Sequence, residues 1–352
     1  GRKGNAKWNF SETFTWSSPG FDLNDMGYMK ETDYLMNETE IMYRQTDIWK
    51  IFRYNAFTLS QKNMWNYGGT PFSNNASLRW QSMTMNRYEW DVKETFAWNW
   101  LDSRLLRGGP DVRFGSYFLT SAKFNTDKAK RMMFMLKYEG DHNFEGNRFN
   151  TISPSLTFRL GNHVYLSGQL DYAWNTDEMQ YVATTSPLSS SSLTPYYYVM
   201  GHMDQKTYGL TLKLQVNVTP DISIQFYGAP FTSIAKYDDF KLAADTKSHT
   251  FENRFQRIDP DHLTYADGVY TIGEGAGQMP FRNPDFRFNE FRSNLVARWE
   301  YLPGSTLYFV WEHRMSNRDN WYSSGWGSNL DRMWGLPATN TFMIKMNYWF
   351  NL

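Results

Sequence analysis

Apolar and polar residues alternate along many short segments of this chain. The pattern recurs in 153–160, 164–174, 208–218, 292–301 and 340–352. Successive side chains of a β-strand point to opposite faces, so each segment would have one apolar and one polar face. In 208–218 the apolar face would carry Tyr208, Leu210, Leu212, Leu214, Val216 and Val218. Because helical periodicity is weak throughout, the pattern predicts an all-β, antiparallel protein.

The connections between these segments alternate between short and long. Short turns are predicted near 43–47, 85–89, 125–130, 160–163, 218–221 and 302–305. Longer loops are predicted at 17–31, 62–74, 101–111, 140–148, 175–206, 232–285 and 316–339. This layout is typical of outer-membrane barrels, in which short turns are periplasmic and long loops extracellular.

These features predict one domain, residues 1–352, that forms a transmembrane antiparallel β-barrel with periplasmic N- and C-termini in the bacterial outer membrane. We count about 14 strands, or about 16 if 176–203 adds two, since strands of this length can cross a tilted barrel wall. The alternative for 176–203 is a hairpin that stands above the rim.

Composition restricts the function. The chain has 36 basic and 36 acidic residues, and this zero net charge argues against a nucleic-acid partner. It has no cysteine, which excludes disulfides and Cys-ligated metals. Aromatic residues make up 18% of the chain, which suits a barrel whose interfaces carry aromatic girdles.

Soluble sandwiches, propellers and surface solenoids also contain alternating strands, but they bury the apolar faces in a core. Two features favour the membrane barrel here. The polar faces are rich in Ser, Thr, Asn and Gln, as in a wet lumen. The apolar faces end in aromatic residues: Trp98, Trp100, Tyr172, Trp174, Trp299, Tyr301, Tyr348 and Phe350.

Several charged residues fall on the polar parity and are candidates to face the lumen. They are Lys137, Glu139, Arg159, Asp171, Lys213, Arg298, Glu300, Glu312, Arg314 and Lys345. Because both signs are present, the favoured interpretation is a network of ion pairs. The alternative is a charged pore wall that selects solutes.

The last segment is a candidate insertion signal. Its apolar parity consists of Phe342, Ile344, Met346, Tyr348, Phe350 and Leu352. We expect this strand to close the barrel against residues 5–16 and to be read by the barrel-insertion machinery. The other expected partners are outer-membrane lipid, lipopolysaccharide and further outer-membrane proteins.

No convergent catalytic or metal site is apparent, so the sequence predicts no enzyme, metal or cofactor. The six histidines form no HxH or HxxxH pair. His202 beside Asp204, and His313, are the only candidates for a hydrolase. The DPDH segment, 259–262, lacks the order of a calcium loop.

The segment 232–285 is long for a bare loop. Seven aromatic residues could order it as a lid or as a docking surface for a partner: Tyr237, Phe240, Phe251, Phe255, Tyr265, Tyr270 and Phe281.

Four stretches carry a resemblance to a known family: 18–29, 106–122, 200–214 and 283–313, the last reading NPDFRFNEFRSNLVARWEYLPGSTLYFVWEH. From about residue 4 onward the chain resembles the C-terminal outer-membrane barrel region, a domain of unknown function, of certain large proteins. Those proteins carry an N-terminal domain similar to family 9 carbohydrate-binding modules, which this sequence lacks. The resemblance implies a fold and a location, and little about activity.

Three functions remain open. The favoured one is a non-enzymatic barrel that serves as a subunit or platform of a larger outer-membrane assembly. The alternatives are a solute channel, for which oligosaccharides are one candidate, and an outer-membrane hydrolase.

Overall fold

A computed structural model describes residues 2–4, 7–22, 32–98, 100–188, 196–320 and 326–350. Most of them belong to one 16-stranded antiparallel sheet. Fourteen of its strands have nine residues or more: β2 Trp8–Ser17, β3 Tyr34–Gln45, β4 Phe52–Trp65, β5 Pro71–Thr84, β6 Glu89–Trp98, β9 Tyr117–Asn125, β10 Met132–Asn143, β11 Arg148–Leu160, β12 Val164–Thr185, β13 Tyr197–Asn217, β14 Ile222–Ala243, β19 Phe286–Leu302, β20 Ser305–Asp319 and β21 Ala338–Asn347. Two short strands, β1 Arg2–Gly4 and β15 Phe255–Arg257, complete this sheet.

The remaining elements lie in the connections. They are the hairpin of β7 Trp100–Asp102 and β8 Val112–Phe114; the three-stranded sheet of β16 Leu263–Ala266, β17 Val269–Ile272 and β18 Met279–Arg282; the helix α1 Trp326–Trp334; and 3₁₀ turns at Glu252–Arg254, Pro260–His262 and Gly275–Gly277. No helix in the described ranges is long and apolar enough to cross a membrane. The all-β, antiparallel prediction is confirmed.

The six predicted short turns are confirmed. They connect β3 to β4, β5 to β6, β9 to β10, β11 to β12, β13 to β14 and β19 to β20. The tightest contains only Pro303 and Gly304, whose φ of 77° suits glycine in a turn. Because neighbouring strands are antiparallel, all six turns lie at one end of the sheet, called here the short-turn end. The opposite end is called the long-loop end.

Two predicted long loops were wrong. Residues 62–74 contain only a five-residue connection, because β4 continues to Trp65 and β5 begins at Pro71. Residues 140–148 likewise contain only a four-residue turn between Asn143 and Arg148. In both places polar residues continue the ladder, as in the pairing of Lys62 with Asn75. Backbone hydrogen bonding extends the strands where side-chain alternation gives no signal.

The segment 176–203 adds no strands to the sheet, so the count of about 16 membrane strands by this route was wrong. It continues β12 and β13 as a hairpin, and register shifts between Asp177 and Gln180 and between Tyr181 and Ala183 interrupt its alternation. With the end of β14 these residues run past the ends of β11 and β19. We call this part the extension: 177–185, 197–204 and 236–243, together with β15.

The register gives the sheet two chemically distinct faces. Leu166, Leu214 and Phe226 are cross-strand neighbours on one face, called the apolar face. Ser167, Lys213 and Tyr227 follow each other across the same strands on the opposite, polar face. Side chains one residue apart therefore meet different surroundings along each strand.

The two edges of the sheet end differently. At one edge, β2 pairs with the short strand β1 at residues 9–11. At the other edge lies β21, which pairs on its inner side with β20. Within the described ranges no pairing joins β21 to β2. The predicted closure of the barrel is therefore not among the observed pairings.

Candidate functional site

The apolar face of the sheet is exposed rather than packed. Leu59 is 54% exposed, Leu78 58% and Ile344 73%. Monomeric soluble proteins rarely expose a contiguous apolar surface wider than a few hundred Å². Cross-strand neighbours such as Leu59 and Leu78 continue this face from one strand to the next.

Aromatic side chains form a row at each end of the apolar face. At the short-turn end, ring centroids are 4.8 Å apart for Trp8–Tyr43, 4.4 Å for Trp90–Phe124 and 6.0 Å for Trp299–Tyr301. At the long-loop end they are 5.7 Å apart for Phe96–Trp98, 5.2 Å for Tyr172–Trp174 and 6.2 Å for Trp311–Phe342. On β6 the two rows are eight residues apart, or about 26 Å along the strand.

The register places all ten predicted lumen-facing charged residues on the polar face. Several of them are paired. Lys137 lies 2.7 Å from Glu139, and Arg298 lies 2.6 Å from Glu300. Arg314 contacts Glu290 at 3.0 Å. The geometry thus contains ion pairs of the kind favoured from the sequence, each between neighbouring residues or strands.

Other predicted residues on this face have different contacts. Asp171 accepts hydrogen bonds from Ser153 and Gln169, at 2.6 and 2.9 Å. Arg159 donates to the Lys128 carbonyl at 2.9 Å. In the described part of the chain, Lys213, Glu312 and Lys345 make no ion pair.

The polar face also contains a cavity of about 360 Å³ near β6, β9, β10 and β11. Its charged lining consists of Lys93, Glu139 and Asp141, beside hydroxyls of Ser121 and Thr151. Both signs of charge and several hydroxyl groups face one space, which is suited to a small polar solute.

The extension carries apolar side chains on both of its faces. Along β13, Tyr197 and Val199 pack on one side, whereas Tyr198 and Met200 pack on the other. The first side is covered by β16–β18, where Phe240, Phe281 and Tyr270 form an aromatic cluster. The predicted long loop 232–285 is therefore folded, and these aromatic residues order it.

The second side is covered by the loop between β6 and β9. Leu106 and Val112 pack there against Met179, Met200 and Phe255. All except Phe255 are fully buried. This contact was not predicted from the sequence, because it joins residues far apart in the chain.

Buried cations stabilise the packing of the covering loops on this side of the extension. The guanidinium of Arg254, only 1% exposed, contacts both carboxylate oxygens of Glu145 at 2.7 and 3.0 Å. It also donates to the carbonyl oxygens of Arg113 and Ser248. Lys241 is 2% exposed, and its ammonium lies over the rings of two phenylalanines. The paired charges fix four separate segments against one another.

His202, a sequence candidate for hydrolysis, lies in the extension between carboxylates. Its Nδ1 is 3.1 Å from Glu178 and its Nε2 3.6 Å from Asp204. Burial alone would lower the pKa of His202, but the hydrogen bond and charge of Glu178, with Asp238 and Asp204, raise it above its usual value. Both ring nitrogens of His202 thus face carboxylates, a geometry suited to a structural link between neighbouring strands.

The other hydrolase candidate, His313, lies on the apolar face. Its Nδ1 is 2.9 Å from the side-chain oxygen of Asn340, and its ring contacts Trp311 and Phe291. Across the described ranges no group of three His, Asp or Glu side chains could hold a metal ion. In the DPDH segment, Asp259 instead caps a 3₁₀ turn by accepting from the Asp261 amide.

The candidate insertion signal is only partly strand. Phe342, Ile344 and Met346 are exposed on the apolar face of β21. Tyr348 and Phe350 follow the end of β21, with their rings 4.7 Å apart, and Leu352 lies outside the described residues.

The helix α1 was not predicted from the sequence. It packs on the long-loop end of β14, β19 and β20, where Trp334 contacts the ring of Phe291 at 4.9 Å. Beneath it the guanidinium of Arg287, 1% exposed, pairs with Asp319 and donates to Asn329. The one sequence signal was that Arg287 falls among the positions of β19 that mostly carry apolar residues. A charged residue there could have indicated that another part of the chain covers it.

Of three comparisons with known proteins, one found a match. No curated protein and no solved structure matches this chain. A family profile with the description "Domain of unknown function (DUF5916)" matches residues 1–352. The whole chain thus belongs to the DUF5916 family, a domain of unknown function.

Proposed function

We propose that this chain is a non-enzymatic β-barrel of the bacterial outer membrane and a subunit or platform of a larger assembly there. In this proposal β21 pairs with the outer edge of β2 beyond residues 9–11, where β1 pairs. The short turns and both termini are periplasmic, and the extension is extracellular. The resemblance to barrel regions of large proteins with a family-9-like carbohydrate-binding domain supports this location.

The observation that carries the proposal is the exposed apolar face between two aromatic rows. Only a closed barrel can place strands in lipid, because every backbone group must be paired there. The apolar face would meet the lipid tails, and the aromatic rows would lie at the two interfaces.

The platform role rests on the long-loop end. There the extension holds a packed core, and large apolar side chains point into solvent around it. Phe144 is 76% exposed, Tyr196 69% and Leu188 66%. An ordered surface with exposed aromatic anchors is typical of protein docking sites.

The absence of native cysteine makes the topology directly testable. Single-cysteine variants Ala266→Cys in β16, which covers the extension, and Asn162→Cys at a short turn would be treated with a membrane-impermeant maleimide on intact cells. We expect labelling of Ala266→Cys only, and of both after lysis. Equal labelling of both on intact cells would contradict the proposed orientation.

The assembly role is tested by extraction in mild detergent, native size analysis and mass spectrometry of co-purifying proteins. We expect stoichiometric partners, and their loss in a double variant Phe144→Ser/Tyr196→Ser that still shows heat-modifiable migration. A lone monomer would contradict the platform role.

The cavity of about 360 Å³ on the polar face favours a solute channel as second candidate. Planar-bilayer conductance tests it. If ions pass this cavity, Asp141→Asn should lower cation preference and Lys93→Gln should lower anion preference. Absence of conductance in a heat-modifiable protein would exclude this candidate.

A further inference from the structure

A groove lies at the short-turn end. It has a volume of about 720 Å³ and is bordered by the turn after β5 and the turn after β9. Its apolar wall includes Met132 and Phe134, which belong to the apolar face of β10. Phe134 and Tyr88 both contact Phe124, a member of the aromatic row at this end.

Three cations line the same groove: Arg87, Lys130 and Arg131. All three are exposed, and none forms an ion pair within the described residues. The nearby Lys128, by contrast, is paired with Glu89 and does not line the groove. The groove therefore concentrates unpaired positive charge on a chain whose net charge is zero.

One carboxylate, Asp127, also lines the groove, but its role is local. Its Oδ1 accepts from the Ala129 amide at 2.9 Å, and its side chain is largely buried in the turn. Three cations against one engaged carboxylate leave an excess of positive charge facing the groove.

Arg87 has an unusual backbone conformation for its residue type. Its φ is 61°, in the left-handed region that side chains other than Gly, Asn and Asp rarely adopt. Asparagine or glycine would fit this turn position with less strain. Replacing Arg87 by asparagine would therefore remove the guanidinium without straining the turn.

We propose that this groove binds an anionic phospholipid in the leaflet next to the short turns. The phosphate would contact Arg87, Lys130 and Arg131, and one acyl chain would lie along Met132 and Phe134. An anionic headgroup and an apolar tail match the two chemistries of the groove. The inference rests on the proposed membrane location, since the apolar wall is part of the lipid-facing surface.

The test compares two charge-matched triple variants in neutral detergent. Arg87→Asn/Lys130→Gln/Arg131→Gln removes the groove cations. Lys7→Gln/Lys50→Asn/Arg53→Gln removes three cations near another short turn. Lys50 also has a positive φ, 54°, so both variants contain one strain-relieving change to asparagine.

Native mass spectrometry would count bound phosphatidylglycerol and phosphatidylcholine, with inorganic phosphate as competitor. We expect preference for phosphatidylglycerol, weakened about a hundredfold in the groove variant, or roughly fivefold per cation. The control variant should bind like the unmodified protein. Equal weakening in both variants, no preference between lipids, or displacement by millimolar inorganic phosphate would overturn the lipid site.

The same samples distinguish failure of the lipid site from failure of the proposed membrane location. Heat-modifiable migration of both variants would show that the barrel is intact whatever the lipid result. A protein that needs no detergent to stay in solution would instead refute the membrane location, and the lipid site with it.

Discussion

The long sheet and the extension use the same strands in two different ways. In the sheet, β12, β13 and β14 have one exposed apolar face, with Leu212 39% exposed. In the extension, Val199 and Met200 are both fully buried although they point to opposite sides. The difference arises because folded loops cover both sides of the extension, as they do for buried sheets in soluble proteins.

This comparison separates two sources of stability. The extension has a core of its own, made of aromatic clusters and the buried pair of Arg254 with Glu145. The apolar side chains of the long sheet have no such covering, so lipid would have to supply their apolar surroundings. Changes in the two regions should therefore have separable effects.

The largest effect should follow from removing residues 342–352. This deletion takes away most of β21 and the exposed residues Phe342, Ile344 and Met346, which we expect to close the barrel and guide insertion. We predict complete loss of membrane assembly, measured as loss of heat-modifiable migration and of the membrane-bound fraction.

A deletion of similar size in the loop 186–196 is the control. That loop joins β12 to β13 at the long-loop end. Normal heat-modifiable migration after removal of 342–352 would show that the last strand is dispensable and would contradict the proposed closure.

The next largest effect should be confined to the extension. Arg254→Ala would remove the buried partner of Glu145, which is itself 12% exposed, and breaking such a pair typically costs about 3–5 kcal/mol. We expect rapid proteolysis within 244–257 and unchanged heat-modifiable migration.

Arg257→Ala is the matched control, because that side chain is 75% exposed and its ion pair with Asp239 spans 3.6 Å. An exposed pair contributes about 0–1 kcal/mol. If Arg254→Ala also abolished heat-modifiable migration, the two regions would not be separable.

A smaller effect is expected from placing one charge on either face of β13. Leu212→Arg would place a charge in lipid, at a cost of about 2–4 kcal/mol near the bilayer centre. Thr211→Arg would place it on the polar face at a small cost. Urea unfolding in liposomes should separate the two variants, and equal effects would argue against lipid contact of the apolar face.

Sequence periodicity predicted the long sheet except at 62–74 and 140–148, where polar residues extend the strands. The alternation in 208–218 assigned Leu212 and Lys213 to opposite faces, and the turn residues Pro303 and Gly304 marked a tight connection. Both signals are local, because period-two alternation and turn chemistry depend on neighbouring residues.

The extension was not accessible to the same reasoning. Its strands contain irregularities after Asp177 and Tyr181, which break the alternation. The main ionic contact beside it joins Glu145 to Arg254, 109 residues apart. A pairing over that distance leaves no spacing signal in a single sequence, and neither does the covering of Met200 by Leu106.

The smallest predicted effect concerns pH and the extension alone. The pKa of His202 is raised, since the hydrogen bond and charges of its carboxylate neighbours outweigh the opposing effect of burial. Its folded state therefore binds the proton more tightly than the unfolded chain. The resulting stability is fully present below the unfolded pKa of about 6.5 and is lost as pH rises through the folded value.

The expected outcome is slower proteolysis of residues 177–204 at pH 6 than at pH 8.5, after correction for the intrinsic activity of the protease. Glu178→Gln should reduce this difference, because it removes the charge that contacts Nδ1. Burial also raises the pKa values of Asp177 and Asp285, but that contribution begins to fall already from about pH 4. A pH difference unchanged by Glu178→Gln would therefore assign it to groups other than His202. NMR titration of the His202 imidazole would then give a pKa at or below its usual value, and the carboxylates around it would not act as a proton-dependent link in the extension.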